Sequence, residues 1–518
     1  MAKSKYEYVK SFEIDDKIKP CCWIVVSLKC TNFDNIVESH MIDKPNDINF
    51  SKLFSATVTD IVQNFQDVQL CYVYHDEIIF IFKKSSTLYQ RRKFKLLSYL
   101  CSMVSSSFVF KWPLFFEDKD LQLIPIFKGT VYSFPEDQLV RCFFTLKQLD
   151  CHKKNLDRLV FYLLIKELKM SSKEAHDLLK NNDEGFKNEL LFSKFNINYN
   201  NEPKIFKRGS ILLRRQVPSR RDDNKSKKKV KVSFEVVTIH EYFHEDKFWK
   251  NEFILENETK HLPKLDNLAL FEENSKLIPH NWLVARIDGK GFTRFCNEHN
   301  FSKPNDLRSL ELMNEAAEEV MKHFSDLLLS YGDSDEYSFM FARYRSNLKI
   351  KTNELISIIA SIFSGSYTFH WTKYFEDETL KLPPSFDSRL VFYPNNSTIR
   401  DYLSWRQVDC HINNLYNTCF WSLVQNSHIS QKEATEKLRY TFSADKRKIL
   451  IDDFNLEYDN ELEIFRKGTI FYKNNSESSL LVKKHCDIIN DKFWNDNPHI
   501  LGKERGAEVN NCDITPIP

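Results

Sequence analysis

The chain has 518 residues, enough for two or more domains with sizeable cores, and 42% hydrophobic with 14% aromatic residues mark it as folded. A net charge of +2 excludes a globally basic nucleic-acid binder, so any RNA affinity must come from local patches. No apolar run approaches membrane-spanning length. The twelve cysteines are scattered without a Cys-x-x-Cys, which reads as thiols in a reducing compartment. The expectation is an intracellular protein, in the nucleus and/or cytoplasm.

In chain order, Ser27-Leu28-Lys29-Cys30 ends a first apolar strand, and Lys44-Pro45-Asn46-Asp47 precedes a helix. Asp76-Glu77 stands at a turn. Gln90-Arg91-Arg92-Lys93-Phe94-Lys95 is read as helical, with Arg91 and Lys95 one turn apart on a basic face suited to phosphates. From Arg214 to Lys231 nine Lys/Arg stand against two Asp with almost no apolar content, so residues 214–233 read as a disordered basic loop.

The second half repeats the first. An unchanged offset of 259 residues aligns the two KPND segments, Asp76-Glu77 with Asp335-Glu336, Trp112 with Trp371, Asp150-Cys151-His152 with Asp409-Cys410-His411, and Gly209 with Gly468. The copies are assigned to residues 1–256 and 257–518.

In the second copy the alternating run Trp282 to Ile287 is a buried strand ending on Asp288-Gly289. A carboxylate thus sits at the strand end, beside a glycine that permits close approach. A second strand turns at Gly332-Asp333-Ser334 and returns after Asp335-Glu336. Carboxylates on adjacent strand ends suit a pair of hard divalent cations, with room left for phosphates. The backbone of Lys290-Gly291-Phe292 offers amides to a triphosphate, and Lys303 is a candidate phosphate ligand. Element order is strand, helix, strand, turn, strand, helix, strand, a βαββαβ unit with an antiparallel sheet. The fold class expected is α+β, two tandem ferredoxin-like, polymerase-palm-like domains, each with a helical C-terminal part. The helix over 401–425 carries Val408, Ile412, Leu415, Cys419 and Leu423 as a buried stripe. Arg406, Asp409, Asn413 and Asn417 form a second face; Gln407, His411, Asn414 and Thr418 form a third. This polar surface reads either as a recognition surface or as a bracing network.

The first copy lacks half of the acid pair. Lys29 and Cys30 stand opposite Asp288 and Gly289, so a cation occupies the place of a metal-binding carboxylate, and Lys29 is expected to pair with Asp76 instead.

The segments RIDGKGF, HNFSKPND, YGDSDEYSF, PPSFD, DYLSWRQVDCHINNLYNT and FRKGT, in this order, resemble the tRNA(His) guanylyltransferase family over nearly all of residues 270–500. The resemblance implies addition of a guanosine to the 5′ end of tRNA(His), with ATP and GTP as substrates. ATP activates the 5′-phosphate, the 3′-hydroxyl of GTP attacks it, and pyrophosphate is then removed. It implies two Mg²⁺ held by Asp288, Asp335 and the Gly289 carbonyl, with Glu336 shaping the site. Nucleotide contacts are implied for Gly289, Lys290, Gly291, Phe292, Thr293, Lys303, Ser334 and Asp335. For tRNA they are implied for Asp409, His411, Asn414, Lys446, Arg466 and Lys467, and paired arginines resemble the family at Arg91 and Arg92, beside Lys95. Family members resemble assemblies of identical subunits, so the tandem chain is expected to pair into a pseudo-tetramer. Two departures bear on rate: Thr293 replaces a usual histidine, and Asp333 a usual glutamine. The rival readings are a 3′–5′ polymerase repairing tRNA 5′ ends and a non-catalytic tRNA-binding subunit.

Overall fold

A computed structural model describes residues 4–217, 233–251, 268–273, 276–343, 350–474 and 480–502. Each copy builds one antiparallel six-stranded sheet. In the first, β1 (Trp23–Cys30), β2 (Val68–Tyr74), β3 (Glu77–Phe82), β4 (Phe127–Phe134), β5 (Ser210–Val217) and β6 (Ser233–Ile239) lie in the order β4-β1-β3-β2-β5-β6. In the second, β7 (Trp282–Gly289), β8 (Leu327–Asp333), β9 (Glu336–Phe341), β10 (Phe386–Tyr393), β11 (Thr469–Lys473) and β12 (Leu481–Lys484) repeat it as β10-β7-β9-β8-β11-β12. The inner four strands are the expected ferredoxin-like unit. The outer two in each copy were not anticipated: after the helical part, the chain returns to extend the sheet. Arg214 to Val217 belong to β5, where Arg214 donates to the Val68 carbonyl at 3.2 Å, so the basic segment begins inside a strand. Residues 218–232, and the boundary assigned at 256/257, lie outside the described residues.

The helices used below are α1 (Ile48–Asn64), α2 (Lys93–Lys111) and α3 (Asp137–Lys166) in the first copy, and α4 (Leu307–His323), α5 (Thr352–Phe369) and α6 (Asn396–Asn426) in the second. Asp306 caps α4 by accepting from the Arg308 amide at 3.1 Å, as a residue before the first turn should. The buried side of α4 is Leu312, Met313, Ala316, Ala317, Val320 and Met321; Leu310 is only half-buried. Along α6 the buried face is more polar than expected. Leu415, Cys419 and Leu423 are buried, Val408 and Ile412 only partly so, and Gln407, Asn414 and Thr418 join the interior.

The two copies form a pseudo-dimer with one shared core. Leu97, Cys101, Val104 and Phe108 of α2 belong to the same apolar cluster as Leu355, Ile359, Ile362 and Phe363 of α5. On α5 every residue but Glu354 and Phe369 is buried, so this helix has no solvent face. Each outer edge, β4 and β10, would present unpaired amides, and each is met by serines from the other copy. Ser98 and Ser102 accept from the Ser388 and Phe386 amides, both at 2.8 Å. Reciprocally, Ser357 and Ser361 accept from the Gly129 and Phe127 amides at 2.7 and 2.9 Å. Short arms are also exchanged: Glu13 bridges to Val391 of β10 and Glu272 to Tyr132 of β4.

The basic run at 90–95 is not one helical face. Leu88–Arg91 is a 3₁₀ turn, and α2 starts at Lys93. Arg91 is buried and donates to the carbonyls of Ile18, Lys19, Cys22, Lys84 and Ser86 at 2.8–3.3 Å. Its guanidinium braces a loop and does not face solvent, which corrects the expectation of a phosphate contact.

Removing one serine tests the interface. Ser361→Ala leaves the buried Phe127 amide without an acceptor, which costs about 1–3 kcal/mol. The expected result is a lower thermal midpoint for the full chain, while the exposed control Ser397→Ala leaves it unchanged.

Candidate active site

The site forms where β7, β8 and β9 end beneath α6. Register sets Asp288 opposite Glu336 on one side and Asp387 on the other, and Asp333 opposite Glu336. Asp335 lies in the two-residue turn between β8 and β9, where Ser334 takes a positive φ of 53°. The Gly289 amide donates to the Asp335 carbonyl at 2.9 Å and locks this turn against the end of β7. A Cβ at Gly289 would lie 2.7 Å from Asp335 Oδ2, so only glycine lets the two acids share this corner.

The electrostatics follow from burial. Desolvation first, then the charge of Asp288, pushes the Asp335 carboxyl up to about 7. Burial pushes Asp333 up to about 7 as well, with Glu336 adding to it. Asp288 is raised by burial and by Glu336, and pulled back by Arg286. Glu336 has its own cations: Arg406 Nη1 sits 2.9 Å from both of its oxygens, and Arg286 Nε lies at 3.4 Å. Arg406 also reaches Asp409 at 2.6 Å. Glu336 therefore serves as a brace between sheet and α6, while Asp288 and Asp335 remain without a cationic partner of that quality.

A cleft of about 490 Å³ opens from these acids. Its walls include Asp288, Asp333, Ser334, Asp335, Phe292, Thr293, Lys303 and Asn305 with Arg406, Asp409, Asn413 and Asn417 of α6. Sequence reasoning thus placed most nucleotide candidates and the second face of α6 at one site. Phe292 is largely a core residue, packed on Phe295 and Phe386. Lys290 is exposed and points away from this wall, its Nζ 5.3 Å from the Tyr89 ring of the first copy. The Lys290 amide already donates to the Ser385 carbonyl at 2.8 Å.

The tRNA candidates divide. Asn414 is buried and accepts from Asn305 at 2.9 Å while donating to the Tyr458 hydroxyl at 3.0 Å. The first copy repeats this network with Asn46, Asn155 and Tyr199 at 2.9 and 3.0 Å. The contact is kept in both copies, as a bracing network would be, and Asn414 also borders the cleft. His411 is half-buried against the Tyr458 ring, and burial lowers its pKa. Lys446 donates to the Thr441 carbonyl at 2.8 Å, Arg466 to Glu461, and Lys467 pairs with Glu463 at 2.5 Å. Arg92 pairs with Asp16 at 3.2 Å and Lys95 with Asp387 at 2.8 Å. Gln407, not singled out as a site residue, ties α6 to the sheet by donating to Lys467 and Cys486 carbonyls and accepting from the Ile488 amide.

The corresponding corner of the first copy is filled with cations. Lys29 pairs with Asp76 at 3.5 Å, as expected. Glu77 accepts from Ser27 at 2.5 Å, from Lys147 at 2.6 Å and from Tyr74. Arg158, where the second copy has Asn417, reaches His75 Nδ1 at 3.4 Å. Burial first and then Arg158 lower His75 to about 3.

A palm-type sheet with a glycine-gapped pair of partly buried acids at its strand ends, under a polar helix, defines a nucleotidyltransferase-class domain, present twice and intact once. Two family models match, each in both copies: "tRNAHis guanylyltransferase" at residues 6–135 and 265–394, and "Thg1 C terminal domain" at 138–246 and 397–514. The chain belongs to the tRNA(His) guanylyltransferase family, whose members are nucleotidyltransferases. It is 37% identical over 520 residues to "tRNA(His) guanylyltransferase 1" of Arabidopsis thaliana, covering 97% of this chain and 91% of that one. To "tRNA(His) guanylyltransferase 2" of the same plant it is 34% identical over 536 residues, covering 97% and 99%. The crystal structure of the Saccharomyces cerevisiae enzyme is similar at 38% identity and a TM-score of 0.41, over 45% of this chain and 100% of that one.

The raised carboxyl of Asp335 yields a test. The native state holds its proton up to about pH 7, whereas the unfolded chain releases it near 4. Metal-free protein should therefore lose stability as pH rises from about 4 to 7. Asp335→Asn should raise the thermal midpoint of metal-free protein at pH 8 and leave it unchanged at pH 4. Equal midpoints at pH 8 would contradict the reading.

Proposed function

We propose that the second copy adds a guanosine to the 5′ end of tRNA(His) and that the first copy performs no transfer. The observation that carries this is the corner of Asp288, Gly289 and Asp335, intact in one copy and replaced by Lys29 and Cys30 in the other. The names of the relatives supply the substrate and the reaction; the residues supply the means.

The residues present fit divalent cations. Asp288 and Asp335 repel one another in a buried corner, and the space that a Cβ at Gly289 would fill is kept open beside Asp335 Oδ2. Asp288, Asp335 and the Gly289 carbonyl would hold two Mg²⁺, which when bound offset phosphate charge and favour the deprotonated hydroxyl. The remaining work belongs to the chain. Lys303 and Thr293, on the cleft wall, bind and orient triphosphate, and Ser334 at the turn adds a hydroxyl donor. Asp409, Asn413 and Asn417 face the same space from α6 and present hydrogen-bonding groups to sugar or base edges. Glu336, clamped by Arg286 and Arg406, is a positioning residue that fixes β9 and α6 around the acids. In the transfer step the 3′-hydroxyl of GTP gives up its proton to solvent and forms the new P–O bond to the activated 5′-phosphate, and AMP leaves with the pair of the broken anhydride bond. Lys446, Arg466 and Lys467, with their present partners displaced, and Arg92 remain proposed tRNA contacts.

Purified protein, 5′-monophosphorylated tRNA(His), ATP and labelled GTP should give labelled tRNA in the presence of Mg²⁺. Asp288→Ala and Asp335→Ala should each reduce labelling by at least about a thousandfold, on the scale of losing a group that stabilises transition-state charge. Asp76→Ala should leave labelling within about twofold, since Asp76 lies in a cation-filled corner. No labelling by the unaltered chain, or equal losses from Asp76→Ala, overturns the proposal.

A further inference from the structure

The face on which the two copies meet carries a contact whose sign their pseudo-symmetry reverses. At the start of α2, Lys95 pairs with Asp387 of β10 at 2.8 Å. At the related place, Glu354 of α5 pairs with Lys128 of β4 at 3.4 Å. Under the offset of 259 residues Lys95 corresponds to Glu354, and Lys128 to Asp387. The same helix-to-edge contact is thus made twice with its sign reversed. The first copy brings two lysines to this face, and the second brings two carboxylates.

The other contacts described across the face do not discriminate in this way. Ser98 and Ser102 correspond to Ser357 and Ser361, and all four serve edge amides alike. The helices α2 and α5 bury similar apolar surfaces in one core. Arg389 pairs with Glu13 of the exchanged arm at 3.2 Å, and Thr130 stands at the related place, so the arms add one ion pair without reversing sign. Pairing two first copies would set Lys95 against Lys128 twice. Pairing two second copies would set Glu354 against Asp387 twice. These groups are partly withdrawn from water: Asp387 keeps 5% of its side chain exposed and Lys95 20%, while Glu354 keeps 22% and Lys128 41%. Water therefore relieves like-charge repulsion only in part.

We propose that Lys95, Lys128, Glu354 and Asp387 are a pairing code, which commits the catalytic copy to a first copy on this face and bars a second catalytic copy from it. The repulsive element gives the specificity, and the shared serines and apolar helices give the adhesion. The code acts whether the first copy lies on the same chain or on another.

Full-length chains test it. In Lys95→Glu with Lys128→Glu, both copies become acidic at this face; in Glu354→Lys with Asp387→Lys, both become basic. Each double variant should show a lower thermal midpoint than the unaltered chain, partly restored by 1 M salt, at which screening shortens to about 3 Å. Carrying all four changes should restore the midpoint. Tagged acidic chain refolded with untagged basic chain should capture it about tenfold more than tagged acidic chain captures untagged acidic chain. A fourfold variant as unstable as the doubles, or capture no greater for opposite than for like chains, overturns the proposal.

Discussion

The structure depends on the outer edges of β4 and β10. An edge strand carries amides that need acceptors, and solvent or another chain normally supplies them. Here the acceptors are hydroxyls of Ser98, Ser102, Ser357 and Ser361, each on a helix of the opposite copy. A glycine on α5 also lets α2 and α5 approach closely. A Cβ at Gly365 of α5 would lie 2.7 Å from Ser105 Oγ of α2. Edge and helix are satisfied together, and α5 acquires an environment with no solvent face.

The concentration of acid at the corner of Asp288 and Asp335 is the second constraint. Asp288, Asp333, Asp335, Glu336 and Asp387 lie on or beside the ends of four adjacent strands, β10, β7, β9 and β8. Two of them have fixed cations. Arg406 and Arg286 hold Glu336, and Lys95 holds Asp387 from across the interface. That leaves Asp288, Asp333 and Asp335 without a fixed cation, and of these Asp288 and Asp335 flank Gly289 as the pair proposed to hold an ion. The first copy meets the same constraint with protein cations, at Lys29, Lys147 and Arg158. Its corner is complete without any ligand.

Much of this was legible in the sequence because it rests on local pattern. The strand ending in Asp288-Gly289, the Asp333-Ser334-Asp335 turn and the repeat offset each leave residues at fixed spacing, and the βαββαβ order follows. The outer strands were missed although Ser210 to Leu213 and Thr469 to Tyr472 each follow a glycine with an apolar run. Four or five residues do not distinguish a strand from the end of a helical region. Arg91 was misread because composition shows a basic run and not the direction of one side chain, and its carbonyl partners come from segments up to 73 residues distant. The serines at four-residue spacing in both copies were visible. Their role was not, since a hydroxyl on an apolar helix normally returns to its own backbone.

These constraints account for the persistence of a copy without a usable acid pair. The first copy covers β10, supplies half of the core around α5, and sends its arm onto the β10 side of the second sheet. None of that depends on Asp288-type chemistry, so replacing the acid and the glycine by Lys29 and Cys30 leaves the supporting role whole. With Lys29 beside Asp76 and Lys147 beside Glu77, the first copy also needs no ion to offset these acids, which removes a ligand requirement from its folding. The same substitutions that remove the acid pair from the first copy therefore favour it as a permanent support for the second.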